Sequence, residues 1–282
     1  MERTTHRVRW AGPDGFHAMA WHHWGARSLE RRVLCVHGLT RSGRDFDALA
    51  RHLVLHGYQV ACPDLPGRGQ SDWLRDPSLY VPATYLSAIT HLLAALDWRD
   101  CAWVGTSLGG IVGQLAAAMP GTPITRLVLN DLGAEIPRPA LERIGEYLRL
   151  DLVFETLAHL EAHLRKVHAP FGPLTDAEWR HLAETSARRR EDGGIVLHYD
   201  PAIARGYTLP PEGDIDMWPL WDANSLPTLI LRGETSDILP APVAARMAAR
   251  AGVELETIAG CGHAPALMAF DQCARVAAFL DG

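Results

Sequence analysis

Apolar residues recur along this chain in two alternating rhythms, short runs of strand length and longer stretches at helical spacing. The opening reads as an antiparallel ribbon, with His6 to Trp10 and Phe16 to Trp24 joined across a Gly12-Pro13-Asp14-Gly15 turn. A regular alternation follows. Strands are predicted at Arg32–His37, Tyr58–Cys62, Cys101–Gly105 and Ile124–Asn130, separated by helices at Phe46–His56, 84–96 and Leu108–Ala118. Short apolar strands joined by helices of this length imply a mainly parallel sheet covered on both faces.

From about Ile136 the rhythm breaks. Three helical segments follow without strands between them, at Pro139–Asp151, Phe154–His168 and Thr175–Arg190, the last opened by the capping box Thr175-Asp176-Ala177-Glu178. An irregular stretch rich in Pro and Gly runs from His198 to about Asn224. The strand rhythm then resumes with Pro227–Arg232, a helix at Pro242–Ala251, a strand at Val253–Ile258 and a last helix at Met268–Leu280. This pattern predicts an α/β core formed by residues 1–135 and 225–282, interrupted by a helical insertion over 136–224.

The sharpest chemical signal is Gly105-Thr106-Ser107-Leu108-Gly109, placed where a predicted strand turns into a predicted helix. Such a turn lifts a serine hydroxyl above the sheet, and side chains at the flanking glycines would strike the neighbouring strand and helix. A serine hydroxyl needs a base at neutral pH. His263, in Gly260-Cys261-Gly262-His263, follows the last strand and emerges on the same edge of the sheet. Asp237, just beyond the preceding strand, would orient that imidazole and stabilise its cation. Val36-His37-Gly38-Leu39 is a fourth element: its glycine would let the chain fold back so that the amides of Leu39 and Leu108 hold an oxyanion. The His37 side chain would only buttress that loop.

Taken together, His37-Gly38, Asp64-Leu-Pro-Gly67-Arg-Gly69-Gln-Ser71-Asp72, Gly105-Thr-Ser107-Leu-Gly109-Gly110, Asp237 and Gly260-Cys-Gly262-His263 resemble the capped α/β-hydrolase superfamily. The resemblance spans about 30 to 135 and 226 to 282. It implies an eight-stranded, mostly parallel sheet, a Ser-His-Asp hydrolase with the roles just given, and a cap that chooses the substrate. Some members of the superfamily place the acid at the end of an earlier strand, which makes Asp131 the alternative. Asp237 is preferred because of its loop length and its place 26 residues before the histidine. A serine nucleophile argues against the dehalogenase and epoxide-hydrolase chemistries of the same superfamily, which use a carboxylate.

Composition narrows the partners. The chain has 282 residues, 48% hydrophobic and 21% charged, with a net charge of -6. That charge disfavours a nucleic-acid partner and points to a small-molecule substrate. The basic run Arg188-Arg189-Arg190, followed at once by Glu191 and Asp192, reads as a solvated helix end. Five scattered cysteines without a CxxC pair, no signal-peptide pattern and no apolar stretch of membrane-spanning length suggest a cytoplasmic protein with no membrane partner. No cofactor is implied. His159 and His163 are spaced i, i+4 on a predicted helix with His168 near its end, a spacing that could suggest a metal site. Glu161 points off that face, unlike the H-E-x-x-H arrangement, so the three read as a solvated helix face and no metal is expected. Trp179, Trp218 and Trp221, with Tyr147, Phe154, Phe171 and Tyr199, lie in or beside the cap, where aromatics either line a substrate pocket or pack the cap itself. Trp179, Trp218 and Tyr199, together with Trp73 in the core, are the candidates for substrate contact.

The leading function is therefore cleavage of a carboxylic ester, lactone or thioester through an acyl-serine. The same triad would serve C–C bond hydrolysis of ring-cleavage diketones, although Thr106 and Ala264 stand where members with that chemistry often carry Asn and an aromatic. A cofactor-free oxygenase or perhydrolase, or a binding protein that kept the fold and lost catalysis, are the remaining alternatives.

Overall fold

The computed structural model describes residues 2–208 and 212–282. Among the described residues, eight strands form one sheet in the order β1-β2-β4-β3-β5-β6-β11-β12. They are β1 (Thr4–Gly12), β2 (Gly15–Trp24), β3 (Arg31–Val36), β4 (Tyr58–Pro63), β5 (Cys101–Thr106), β6 (Ile124–Asn130), β11 (Thr228–Gly233) and β12 (Val253–Ile258). β2 pairs antiparallel with both β1 and β4, and every other pairing is parallel. The opening ribbon and the mainly parallel sheet are thus as the hydrophobic pattern indicates.

Strand alternation sorts side chains onto two cores. Leu34, Val36, Trp103, Leu127, Leu129 and Ile230 enter one, while Val33, Cys35, Ala102, Val104, Val128, Leu229 and Leu231 enter the other. Helices α1 (Asp47–Leu55) and α10 (Phe270–Asp281) close the second core with Leu49, Leu53, Val276 and Leu280. Helices α2 (Pro82–Leu96), α3 (Leu108–Ala117) and α9 (Ala241–Ala248) cover the first with Ile89, Leu92, Val112 and Met247. Burying each large apolar side chain is worth about 2 kcal/mol. A strand apolar on both faces is therefore held only between two helical layers.

After β6 the chain leaves the sheet and returns at β11. The two ends of this excursion are tied by a short antiparallel ribbon, β7 (Glu135–Ile136) with β10 (Ile215–Asp216). Between them lie α4 (Arg138–Leu148), α5 (Leu157–Val167), α6 (Asp176–Ser186), the hairpin β8 (Ala187–Arg189) and β9 (Ile195–Leu197), α7 (Ile203–Gly206) and α8 (Trp218–Asp222). The Thr175–Glu178 capping box opens α6 in both directions, with side chain to backbone bonds of 2.7 and 3.3 Å. Of the irregular stretch expected over 198–224, residues 209–211 lie outside the described residues.

The arginine run corrects one expectation. The helix ends at Ser186, and Arg188 and Arg189 belong to β8 rather than to a solvated helix end. The cause is the Asp192-Gly193-Gly194 turn, in which Gly193 adopts a φ of 89° and the Asp192 carboxylate accepts from the Gly194 amide at 3.0 Å. That turn chemistry folds the chain back on itself as a hairpin.

Candidate active site

Ser107 sits between β5 and α3 with φ 52° and ψ −115°, a conformation that projects its hydroxyl from the turn. The glycines make the turn possible. A Cβ on Gly109 would lie 1.9 Å from the Val36 carbonyl oxygen of β3, and one on Gly105 would lie 2.4 Å from the Gly109 carbonyl oxygen. Trp103 braces the same turn by donating from its indole N–H to Gly109 O at 2.9 Å.

His263 approaches from the loop after β12. Its Nε2 is 3.0 Å from Ser107 Oγ and its Nδ1 is 2.8 Å from Asp131 Oδ2. Because a carboxylate only accepts, Nδ1 carries the proton and Nε2 is left free to accept from the serine hydroxyl. Asp131 is fully buried. It also accepts from Gly233 N at 2.7 Å and Ser236 Oγ at 2.6 Å, so hydrogen bonds compensate its charge.

The expected acid Asp237 stands elsewhere. It is half exposed and accepts from Arg143 of α4 at 2.7 and 2.8 Å. The reason is local: Asp131 leaves β6 in the left-handed region, φ 56°, which turns its carboxylate under the imidazole. Ser236, Gly233 and Asn130 were not singled out in the sequence. Asn130 receives Ser107 N at its carbonyl and donates from its side chain to Thr106 Oγ1 and Pro265 O, linking elbow and histidine loop. Its sequence signal was a polar Asn-Asp pair closing an apolar strand.

The His37 loop is held by a defined tautomer. Leu65 N donates to His37 Nε2 at 2.9 Å, so His37 Nδ1 carries a proton and donates to Gly38 O at 2.7 Å. Burial pushes the pKa of His37 down to about 4, which keeps it neutral. Since a trans peptide sets its N–H opposite its C=O, fixing the Gly38 carbonyl also fixes the direction of the Leu39 amide. Arg68, fully buried, donates to Leu39 O, Pro66 O and Tyr85 Oη, which gives the 64–72 motif a bracing role. Leu108 is the first residue of α3, where amides have no partner within the helix. Gly38 itself is less constrained than expected. A Cβ there would meet its nearest neighbour, Ser107 Cβ, at 3.8 Å.

A cavity of about 670 Å³ opens above Ser107 and His263. Its walls come from the His37 loop, the ends of α4 and α5, and residues 169–171. Those last residues are pinned to the histidine loop, with Gly262 N donating to Pro170 O at 2.7 Å. The lining aromatics are Tyr147 and Phe171. Trp73, Trp179, Trp218 and Tyr199 are absent from it. Trp179 and Tyr199 are buried in the apolar core, Trp73 lies under Arg188, and Trp218 stacks on Arg246. Helix periodicity marks Trp179 as inward-facing but not which inner surface it meets, while Trp73 and Tyr199 lie outside helices and Trp73 stays 38% exposed.

The three cap histidines separate as well. His159 is exposed, His163 stacks beside Tyr147 and Phe154, and His168 stacks on Phe171 and lines the cavity. The expectation of a solvated trio therefore holds for His159 and fails for His163, whose Nε2 is buried, and for His168. A second groove, about 710 Å³ and lined by Arg188 to Arg190, contains none of Ser107, His263 or Asp131. No helix among the described residues is long and apolar enough to cross a membrane.

The model of the alpha/beta hydrolase family matches residues 33–278. A 3-hydroxybutyrate-oligomer hydrolase of Cupriavidus necator is 38% identical, with 98% of this chain and 97% of the relative covered. A pimeloyl-acyl-carrier-protein methyl ester esterase of Xanthomonas axonopodis is 29% identical over 85% of this chain and 90% of its own. Among solved structures, an alpha/beta hydrolase of Novosphingobium aromaticivorans superposes with a TM-score of 0.88 at 38% identity, covering 98% of each chain. The sheet, the strand-to-helix serine turn and these likenesses converge on one statement: the chain belongs to the alpha/beta hydrolase family, and it is an enzyme.

Proposed function

We propose that this protein hydrolyses carboxylic esters of small hydroxy acids, including short linear 3-hydroxybutyrate oligomers, through an acyl-serine at Ser107. The carrying observation is the continuous hydrogen-bond chain from Ser107 through His263 to Asp131, at 3.0 and 2.8 Å, opening into one cavity. The substrate class follows that of the 3-hydroxybutyrate-oligomer hydrolase, which matches nearly the whole chain.

In this reading Ser107 Oγ attacks the ester carbonyl as its proton passes to His263 Nε2. The amides of Leu39 and Leu108 receive the tetrahedral oxyanion, each worth about 3 kcal/mol of barrier. Collapse breaks the ester C–O bond, and the departing alkoxide takes the proton from Nε2. Water then gives a proton to Nε2 as it adds to the acyl-serine, and a second collapse releases the acid and returns that proton to Ser107 Oγ. Asp131 keeps Nδ1 protonated and offsets the imidazolium charge. Residues 1–135 and 225–282 serve as the catalytic core, with 136–224 as the cap that walls the cavity.

The test is turnover of nitrophenyl butyrate and of the linear 3-hydroxybutyrate dimer and trimer by the wild type and by Ser107→Ala. The substitution is expected to lower kcat by about a millionfold. Ester turnover that survives it overturns the acyl-serine mechanism. Turnover of nitrophenyl butyrate without either oligomer removes the substrate class.

A further inference from the structure

The cavity above Ser107 contains three cationic side chains, and two of them are already engaged. Arg41 is buried and grips Asp45 with two prongs, each 2.7 Å, while a third nitrogen donates to Ser186 Oγ. Arg143 is held by Asp237. The third is Lys166, the single lysine among 27 basic residues. It lies in the last turn of α5, is exposed, and makes no ion pair or hydrogen bond among the described residues. The charge it brings to this wall is therefore uncompensated, in a chain whose net charge is -6.

Two neutral polar groups stand on the same wall. The Tyr147 hydroxyl and the His168 ring, both lining the cavity, have no hydrogen-bond partner among the described residues. His168 is partly buried, and burial, followed by the Arg41 charge, pushes its pKa down to about 3. It can donate or accept without adding charge. Unpaired polar groups lining one cavity fit a ligand that brings polar atoms of its own.

We propose that Lys166, flanked by Tyr147 and His168, is the subsite that receives the carboxylate of a hydroxy-acid substrate or product. This rests on the ester-hydrolase reading above and adds the anionic group recognised. Lysine is suited to the task as a compact point charge on a flexible stem, able to follow a carboxylate on a mobile chain. Tyr147 and His168 would meet the hydroxyl or ester oxygens next to it.

The test uses 3-hydroxybutyrate and its uncharged isostere 3-hydroxybutyramide as competitive inhibitors of nitrophenyl butyrate hydrolysis. In Lys166→Gln the Ki of the acid is expected to rise about fivefold, the order of a partly solvated charge contact, while that of the amide is unchanged. Lys166→Arg should hold the acid's Ki within about twofold of wild type, because the charge is retained. Raising the ionic strength should weaken the acid, not the amide, and only while a cation is present at position 166. Equal shifts for acid and amide, no shift in Lys166→Gln, or a full-sized shift in Lys166→Arg would each overturn the subsite. Failure of the ester-hydrolase reading shows separately, as turnover that survives Ser107→Ala.

Discussion

Asp131 and His263 meet at 2.8 Å, Oδ2 to Nδ1, although 132 residues separate them in the chain. The contact forms because the end of β6 lies beside β11, and β11 beside β12, whose following loop carries the histidine. A Cβ on Gly233 would lie 2.1 Å from Gly262 O, so β11 and the histidine loop pack with no space between them.

This contact separates the two candidate acids. Asp131→Asn is expected to lower kcat by about 10,000-fold, because the amide stabilises the wrong imidazole tautomer. Asp237→Asn breaks only a half-exposed ion pair and should change kcat on a neutral ester by less than about fivefold. Steady-state kinetics on nitrophenyl butyrate decide the matter, and a larger loss at Asp237 would return the acid to that position.

The elbow glycines differ in what they tolerate. Gly109→Ala places a methyl 1.9 Å from the Val36 carbonyl oxygen, which must force α3 away from β3. Loss of folded, soluble protein is the expected result. Gly38→Ala has room at 3.8 Å and should shift stability by less than about 1 kcal/mol. Urea midpoints of the two variants compare them directly, and a stable Gly109→Ala protein would contradict the packing described.

His37 and His198 make stability depend on pH. Burial lowers their pKa values to about 4 and about 3, whereas the same groups in the unfolded chain titrate near 6.5. Between those values the unfolded state binds more protons, so stability is complete above about pH 6.5 and falls as the pH drops toward 4. At pH 5 each histidine is expected to have cost about 2 kcal/mol. His198 Nδ1 accepts from Gly69 N at 2.8 Å, and His198→Asn supplies a side chain that can also accept. Unfolding at pH 7.5 and pH 5 should show a smaller pH effect in this variant, and an unchanged slope would remove His198 from the account.

The Arg41–Asp45 pair is a structural commitment beneath the cavity. Burial alone would raise the Asp45 carboxyl, but the Arg41 charge reverses this and holds its pKa below the ordinary value. Asp45→Asn leaves a buried guanidinium without its counter-charge and should cost about 3 kcal/mol. Replacing the pair by Arg41→Met with Asp45→Leu should recover much of that loss. Denaturant midpoints of the single and double variants give the comparison, and equal losses would mean that packing, rather than charge, sets the cost.

The sequence by itself determined the layered sheet, the serine elbow, the histidine that meets it and the long excursion between β6 and β11. These rest on local signals: apolar periods of 2 and 3.6, glycines where a Cβ cannot fit, and turn residues at strand ends. Tertiary structure decided which carboxylate reaches His263, because Asp131 and Asp237 both follow strands and only one turns its side chain under the ring. It also decided that Tyr147, Phe171 and His168 face the cavity while Trp73, Trp179, Trp218 and Tyr199 do not. Helical spacing records that a residue faces inward, whereas the surface it meets depends on how separate elements dock, and that information is not carried by any short stretch of chain.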